Sequence, residues 1–211
     1  MFKNWFVDFE PFGGEIPKDW KKGKLSELCN FQEGYVNPAQ THNEYFDGDI
    51  KWLRAVDINE AFIIKTSRTL TVAGFESAGK SALLFKPNTI VISKSGTIGR
   101  LGIIADFMCG NRAVINIEPR CEKNLPFVHQ YLKFHQNEFP DLAVGSVQKN
   151  LYVSILEELD IIIPNTRDLQ LFAEILSPIY NQMKNICEEC CRLNSLRDTL
   201  LPKLMSGELS C

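Results

Sequence analysis

The sequence predicts an α+β protein: a compact, mostly antiparallel-sheet domain followed by one long C-terminal helix that forms coiled-coil contacts. Three observations predict it. Short β-like runs punctuated by Gly, Asn and Pro fill the chain as far as Asn165. Beyond Asn165 apolar residues recur at helical spacing through Leu204. Of the 211 residues, 45% are hydrophobic, enough for a core and too many for a disordered chain.

The opening fourteen residues, MFKNWFVDFEPFGG, are aromatic and acidic. They read as a linker-like segment (1–14). They lack the basic start, long apolar run and small-residue cleavage site of a signal peptide. No apolar run reaches the roughly 18 residues of a membrane span. The expected address is the cytoplasm, with no membrane partner. Lys+Arg 23 against Asp+Glu 26 gives a formal charge of −3. That excludes a wholesale basic coat for nucleic acid and leaves room for a local basic cleft. Seven cysteines, an odd number scattered through ordinary segments, fit reduced thiols better than a disulfide framework.

Residues 15–165 carry the strand signals KWLRAVDI, RTLTVA, NTIVIS, LGIIADF, AVINIEP and LDIIIP. One helix interrupts them, PFVHQYLKFHQNEF, opening at Pro126 with apolar residues on one face. Residues 166–211 form the long helical region. Leu169, Phe172, Leu176, Ile179, Met183, Ile186, Cys190 and Leu193 keep a strict 3-4-3-4 spacing. Arg197 breaks the seam, with Leu196 able to stand in, and Leu200 and Leu204 resume it. The pattern spans roughly five heptads of a coiled-coil stripe. Thr166 and Asp168 offer a cap and a first-turn acid, and Ser206-Gly207 a stop. Pro178 is expected to kink or split the helix, and Pro202 to do the same near its end. A helix of this length reaches on the order of 60 Å, and the chain has no second one to cover its stripe. Self-association or docking to another protein follows.

GFESAGKS, from Gly74 to Ser81, satisfies the phosphate-loop pattern letter for letter. That loop works only ahead of a long helix whose N-terminus faces the anion. Five residues separate Ser81 from Pro87, and Glu76 would place a carboxylate in the cradle. No later strand ends in an Asp suited to Mg²⁺. The match is a coincidence of letters.

SKSGTIGR, from Ser93 to Arg100, lies between two strand signals. Its glycines suit a hairpin turn. Lys94, Ser95, Thr97 and Arg100 also supply the donors that phosphates and base edges accept from. The two readings are compatible. Cys187, Cys190 and Cys191 contain C-x-x-C, but no second pair or nearby His completes a zinc set, so Cys190 reads as a small core residue and no metal site is expected. His42, His129 and His135 form no ligand or triad spacing, and no nucleophile, metalloprotease or paired-carboxylate motif occurs. Nothing points to catalysis by this chain.

Five blocks in order carry a resemblance. IPKDW from Ile16, followed by LSELCNFQEGY, comes first, and DGDIKWLRAVDI from Asp47 second. NTIVISKSGTIGRLGII and AVGSVQKNLYVSILEELDIIIP follow, and LRDTLLPKLMSGEL closes. Together they resemble the specificity (S) subunit of type I restriction-modification systems, in a half-sized form with one target recognition domain and one long helix. The resemblance implies a non-catalytic subunit that reads one half of a bipartite site in double-stranded DNA. It implies that S-adenosylmethionine sits on a separate methylation subunit, and ATP with Mg²⁺ on a motor-nuclease restriction subunit, with no cofactor on this chain. The long helix would pair antiparallel with that of a second copy or of another S-type chain; a homodimer would read an interrupted palindrome. WFVDFEPF makes the chain begin like the second half of a longer subunit.

For DNA contact the expected residues are Lys94, Ser95, Thr97 and Arg100, then Arg54, Gln148, Lys149 and Asn150, with Tyr35 and Asn37 of GYVNP facing the duplex. For pairing they are Leu169, Phe172, Leu176, Ile179, Met183, Ile186, Cys190, Leu193, Leu200 and Leu204. The competing expectation is a protein–protein scaffold or anti-restriction decoy that docks the methylation subunit and binds no DNA.

Overall fold

The computed structural model describes residues 1–59, 61–146 and 148–208. Its strands are β1 (Lys21–Lys24), β2 (Cys29–Glu33), β3 (Phe46–Leu53), β4 (Phe62–Ile63), β5 (Thr69–Leu70) and β6 (Leu84–Phe85), then β7 (Ile90–Ser93), β8 (Leu101–Ile104), β9 (Met108–Gly110), β10 (Val114–Pro119) and β11 (Asp160–Ile163). The helices are α1 (Phe2–Phe6), α2 (Val72–Glu76), α3 (Leu125–Phe134), α4 (Phe139–Leu142), α5 (Val153–Glu157) and α6 (Thr166–Met205). The sheets run β2-β10-β7-β8-β4, β5-β3-β9-β6 and β1-β11. Among the described residues only β3–β9 and β4–β8 pair parallel, so the mostly antiparallel α+β expectation stands.

Strand periodicity builds the layers. Successive side chains point to opposite faces, so Ile90 and Ile92, Leu101 and Ile103, Ile115 and Ile117 pack toward α3 and α6. Val91, Ile104 and Val114, on the other face, pack against Leu53, Phe85 and Met108 of the four-stranded sheet. Strands buried on both faces lose polar alternation and read as largely apolar runs, which is why IVIS, LGII and VINI stand out in the sequence. RTLTVA was the misleading run. Only Thr69–Leu70 is strand, because the Thr71 hydroxyl accepts from the Gly74 amide and starts α2.

The N-terminal segment is no linker in its packing. Phe2 and Phe6 are buried, and the Phe6 ring sits 4.8 Å from both Phe127 and Phe172, edge-on in each case. Such contacts add roughly 0.5–1.5 kcal/mol each beyond area burial. Trp20 Nε1 donates to Asp168 Oδ2 at 2.9 Å and ties the same region to the start of α6.

α6 runs unbroken through Pro178 and Pro202. The expected split at Pro178 does not occur: the turns around it are held down on the core through Phe172, Leu176 and Tyr180. Its cap lies one residue before Thr166, where the Asn165 side chain accepts from the Asp168 amide at 2.8 Å. Gly207, at φ 74, follows the helix end.

The apolar spacing of α6 proves to be two stripes. Leu169, Phe172 and Leu176, expected to meet a partner helix, are buried in the chain's own core, joined by Ala173 and Tyr180, with Met183 and Cys187 packed alongside. The correction has a simple cause: a 3-4 spacing marks an apolar face but not what covers it. Ile179, Ile186, Leu193, Leu200 and Leu204 are exposed, as are Leu171, Ile175 and Cys190. Burial pushes the thiols of Cys29 and Cys109 up to about 12, so both are packing residues rather than nucleophiles.

Candidate nucleic-acid interface

The hairpin joining β7 to β8 is shaped by Ser93. Its hydroxyl donates to the Thr97 carbonyl and accepts from the Arg100 amide. Gly96 and Gly99 take φ of 72 and 89, as the hairpin reading requires. At Gly99 the positive φ strains any side chain, and a Cβ would also meet the Gln136 carbonyl oxygen tightly, at 3.2 Å.

Residues 144–146 and 148–151 meet this hairpin. Val144 and Asn150 exchange backbone hydrogen bonds, Asn150 Nδ2 donates to the Gln148 carbonyl, and the Leu151 amide donates to the Lys94 carbonyl at 2.9 Å. Lys94 and Leu151 are therefore neighbours, which brings the segment carrying Ser95 up to the one carrying Gln148, Lys149 and Asn150. Tyr35 joins them through Glu33: the carboxylate accepts from the Tyr35 hydroxyl and holds the phenol above its ordinary range, with Arg112 acting the other way.

Lys94 is not the free cation the sequence suggested. Its Nζ donates to Glu33 Oε1 at 3.0 Å, with the two side chains only 14% and 20% exposed. Thr97 is exposed at the hairpin tip, while Arg100 is half-buried at the far end, next to the point where Gln136 Nε2 donates to the Gly99 carbonyl.

Arg54 belongs to a second group, not to the hairpin. Its guanidinium donates to Ser67 Oγ at 2.6 Å and lies 5.4 Å from the Trp52 ring centroid. Nε is buried with no hydrogen-bond partner among the described residues, Asp57 Oδ2 standing 3.8 Å away. Arg68 sits 4.0 Å over the Phe46 ring and donates to Gln40 Oε1 at 2.7 Å. Stacking fixes the plane of a guanidinium and leaves its outer N–H groups directed. Asn37 is exposed beside this group, next to Val36, whose carbonyl accepts from Trp52 Nε1 at 2.8 Å.

Residues 110–113 join the two groups. The Gly110 carbonyl accepts from the Val36 amide, the Asn111 amide donates to the Leu53 carbonyl, and the Ala113 carbonyl accepts from the Lys94 amide. Close approach explains Gly34, where a Cβ would lie 2.1 Å from the Asn111 carbonyl oxygen. Arg112 stands exposed on this bridge. Sequence reading missed Arg68, Gln40 and Arg112. Arg112 was findable, since GNR between two strand runs is the same signal as KSGTIGR. Arg68 and Gln40 were not, because their pairing across 28 residues is tertiary.

GFESAGKS forms no anion cradle. Gly74 is packed so closely that a Cβ would lie 2.1 Å from the Tyr45 carbonyl oxygen, and its amide already donates to Thr71. Gly79–Ser81 make a single 3-10 turn leading into β6. Among the described residues no three His, Cys, Asp or Glu side chains are grouped to hold a metal, and no helix is long and apolar enough to cross a membrane.

The sequence family described as type I restriction modification DNA specificity domain matches residues 17–189. A type I restriction enzyme specificity subunit, MjaIX, of Methanocaldococcus jannaschii is 29% identical over 99% of this chain and 51% of its own length. The HindI specificity subunit of Haemophilus influenzae is 27% identical over 92% of this chain and 42% of its own. The chain thus spans about half the length of the curated relatives it matches. In fold it is similar to the HsdS subunit from Thermoanaerobacter tengcongensis, at a TM-score of 0.58 and 16% identity over 99% of this chain and 49% of that one. A type I S subunit from M. genitalium gives 0.59 at 20% identity over 91% and 48%.

Proposed function

The chain belongs to the family of type I restriction-modification DNA specificity domains, and from that premise we propose that it reads one half of a bipartite site in double-stranded DNA. The carrying observation is that Arg54 and Arg68 are fixed over aromatic rings, Arg68 donating to Gln40, while Arg112 is exposed on the segment that joins this group to the hairpin group of Gln148 and Asn150. Planar guanidinium forks and side-chain amides are the groups that pair bidentately with guanine and adenine edges in the major groove. Thr97, Lys149 and Asn37 stand exposed, suited to phosphate contact. A net charge of −3 is no obstacle, because recognition draws on local charge.

In this reading the chain supplies specificity and no chemistry. The methylation subunit brings S-adenosylmethionine, and the motor-nuclease subunit uses ATP. The exposed face of α6 supports self-association, and a homodimer then reads an interrupted palindrome by symmetry.

A second reading is a scaffold or decoy that docks the methylation subunit without touching DNA. It draws on Lys94 and Arg54 being engaged already by Glu33 and Ser67. Methylated adenines mapped in the host, with the gene intact, deleted, or carrying Arg68→Ala and Arg112→Ala, decide between the two. Loss of one split motif in both altered strains supports DNA reading. An unchanged methylation pattern on deletion sinks it. Loss on deletion with the double variant fully active moves recognition elsewhere on the domain.

A further inference from the structure

Glu33 and Lys94 belong to strands on opposite sides of β10. Glu33 ends β2 and Lys94 follows the last residue of β7, in a sheet ordered β2-β10-β7. Glu33 pairs with Ile115 and Ile115 with Ile92, so these three side chains share one face. Lys94 lies two residues beyond Ile92 and leaves from that same face. Its side chain reaches across β10 and places Nζ 3.0 Å from Glu33 Oε1. The Lys94 backbone is held on both sides, its amide by the Ala113 carbonyl and its carbonyl by the Leu151 amide, which leaves only the side chain to turn. Glu33 also accepts from the exposed Tyr35, which lies within reach of the charge on Arg112. Glu33 thus sits among groups suited to meet a duplex and carries the opposite charge to the two cations.

We propose that Glu33 makes DNA binding selective by withholding Lys94 from phosphate until a base edge replaces the ammonium at the carboxylate. The inference rests on the DNA reading proposed above and gives Glu33 a positioning role within it. On a duplex of unrelated sequence, a phosphate takes Lys94 only by leaving Glu33 without its cation, at a site where the two side chains are 14% and 20% exposed. Stripping a mostly buried carboxylate of its donor opposes that exchange. Lys94 then adds no phosphate contact and releases no counterion.

A matching site differs in what it offers the carboxylate. The exocyclic amino group of a cytosine or adenine in the major groove is a donor that a carboxylate accepts. With that donor in place of the ammonium, Lys94 is released to the backbone of the duplex. Binding to unrelated sequence draws on phosphate contacts alone and is held down, while the matched site keeps its full set. The engagement of Lys94 by Glu33, on which the scaffold reading draws, becomes the selective device.

The test uses the full chain, alone and with the methylation subunit proposed above, as parent, Glu33→Gln, Lys94→Gln and the double variant. Urea unfolding checks that each is folded. Binding to a duplex of unrelated sequence is followed from about 50 to 200 mM salt. Glu33→Gln is expected to steepen the slope of log affinity against log salt by about 1, an added loss of about 3–4-fold over that range. In the Lys94→Gln background the same substitution is expected to leave the slope unchanged. On duplexes that the parent selects from a random pool, the slopes of parent and Glu33→Gln agree, because Lys94 is released in both. Glu33→Ala selects sequences that no longer require cytosine or adenine at one position where the parent does. Should Glu33→Gln not fold, Glu33→Asp, which draws the carboxylate back from Nζ, is expected to steepen the slope in the same direction. A folded Glu33→Gln with the parent's slope on unrelated DNA, or one that steepens equally without Lys94, overturns the inference and leaves DNA reading standing. So does an unchanged set of required bases in Glu33→Ala. Failure of the parent to bind any duplex in either form overturns both.

Discussion

The Tyr180 hydroxyl on α6 lies 2.6 Å from Nδ1 of His129 on α3, a buried pair separated by 51 residues in sequence. Gln130 Nε2 donates to the same hydroxyl at 3.2 Å. This contact pins the long helix to the domain at the level where the helix begins to leave it, and burial there, with a lesser push from the charge on Lys133, lowers the imidazole to about 4.

A pH dependence follows from that lowering. Between about 4 and 6.5 the unfolded chain binds a proton at His129 that the folded chain refuses, so stability rises with pH across this window and is lost as pH falls through it. The full effect is about 3 kcal/mol, each tenfold change in proton affinity being worth about 1.4 kcal/mol. Urea unfolding of His129→Leu, compared with the parent from pH 7 to pH 5, is expected to show a flatter profile; Gln130 still satisfies the Tyr180 hydroxyl. Equal slopes in the two proteins would remove His129 as the cause.

The two faces of α6 separate stability from association. Phe172→Ala empties a fully buried site and is expected to cost about 3–5 kcal/mol of folding stability. Ile179→Asp lies on an exposed position and is expected to leave the unfolding midpoint of the monomer near that of the parent while abolishing self-association. Sedimentation velocity beside chemical denaturation checks both, and an intact dimer in Ile179→Asp counts against the outward seam.

Lys94 and Arg112 are expected to diverge. Lys94→Ala leaves the mostly buried Glu33 carboxylate without its cation and with the Tyr35 hydroxyl as its remaining donor, a loss of about 1–3 kcal/mol in stability. Adding Glu33→Ala recovers part of it, as a double-mutant cycle reads. Arg112→Ala changes stability by less than about 0.5 kcal/mol, because the side chain is exposed. If it contacts phosphate it lowers DNA affinity and reduces the slope of log affinity against log salt by about 1. An unaltered slope would exclude that contact.

ATP with Mg²⁺ is expected to leave the melting temperature unchanged, since a ligand that binds the native state must raise it. The Gly74 amide is spent within the α2 cap, and Gly79–Ser81 form one 3-10 turn rather than the start of a long helix. A rise in melting temperature that disappears in Lys80→Ala would reverse this.

Most of the long elements were legible in the sequence: apolar runs marked the buried strands, glycines marked the β7–β8 hairpin, and α6 was bounded to within a residue, while α1 and α2 were not seen. The sequence by itself also determined that GFESAGKS lacks the helix a phosphate loop needs. Those are local properties, set by side-chain periodicity, backbone sterics and chain length between breakers. Only the tertiary structure decided which apolar stripe of α6 is core and which is free, because Phe172 and Ile179 carry the same signal in sequence and differ only in what lies opposite them. It likewise decided that Lys94 is held by Glu33 and that Arg68 is held over Phe46. Contacts between residues so far apart in the chain depend on how the layers stack, and no local pattern records that.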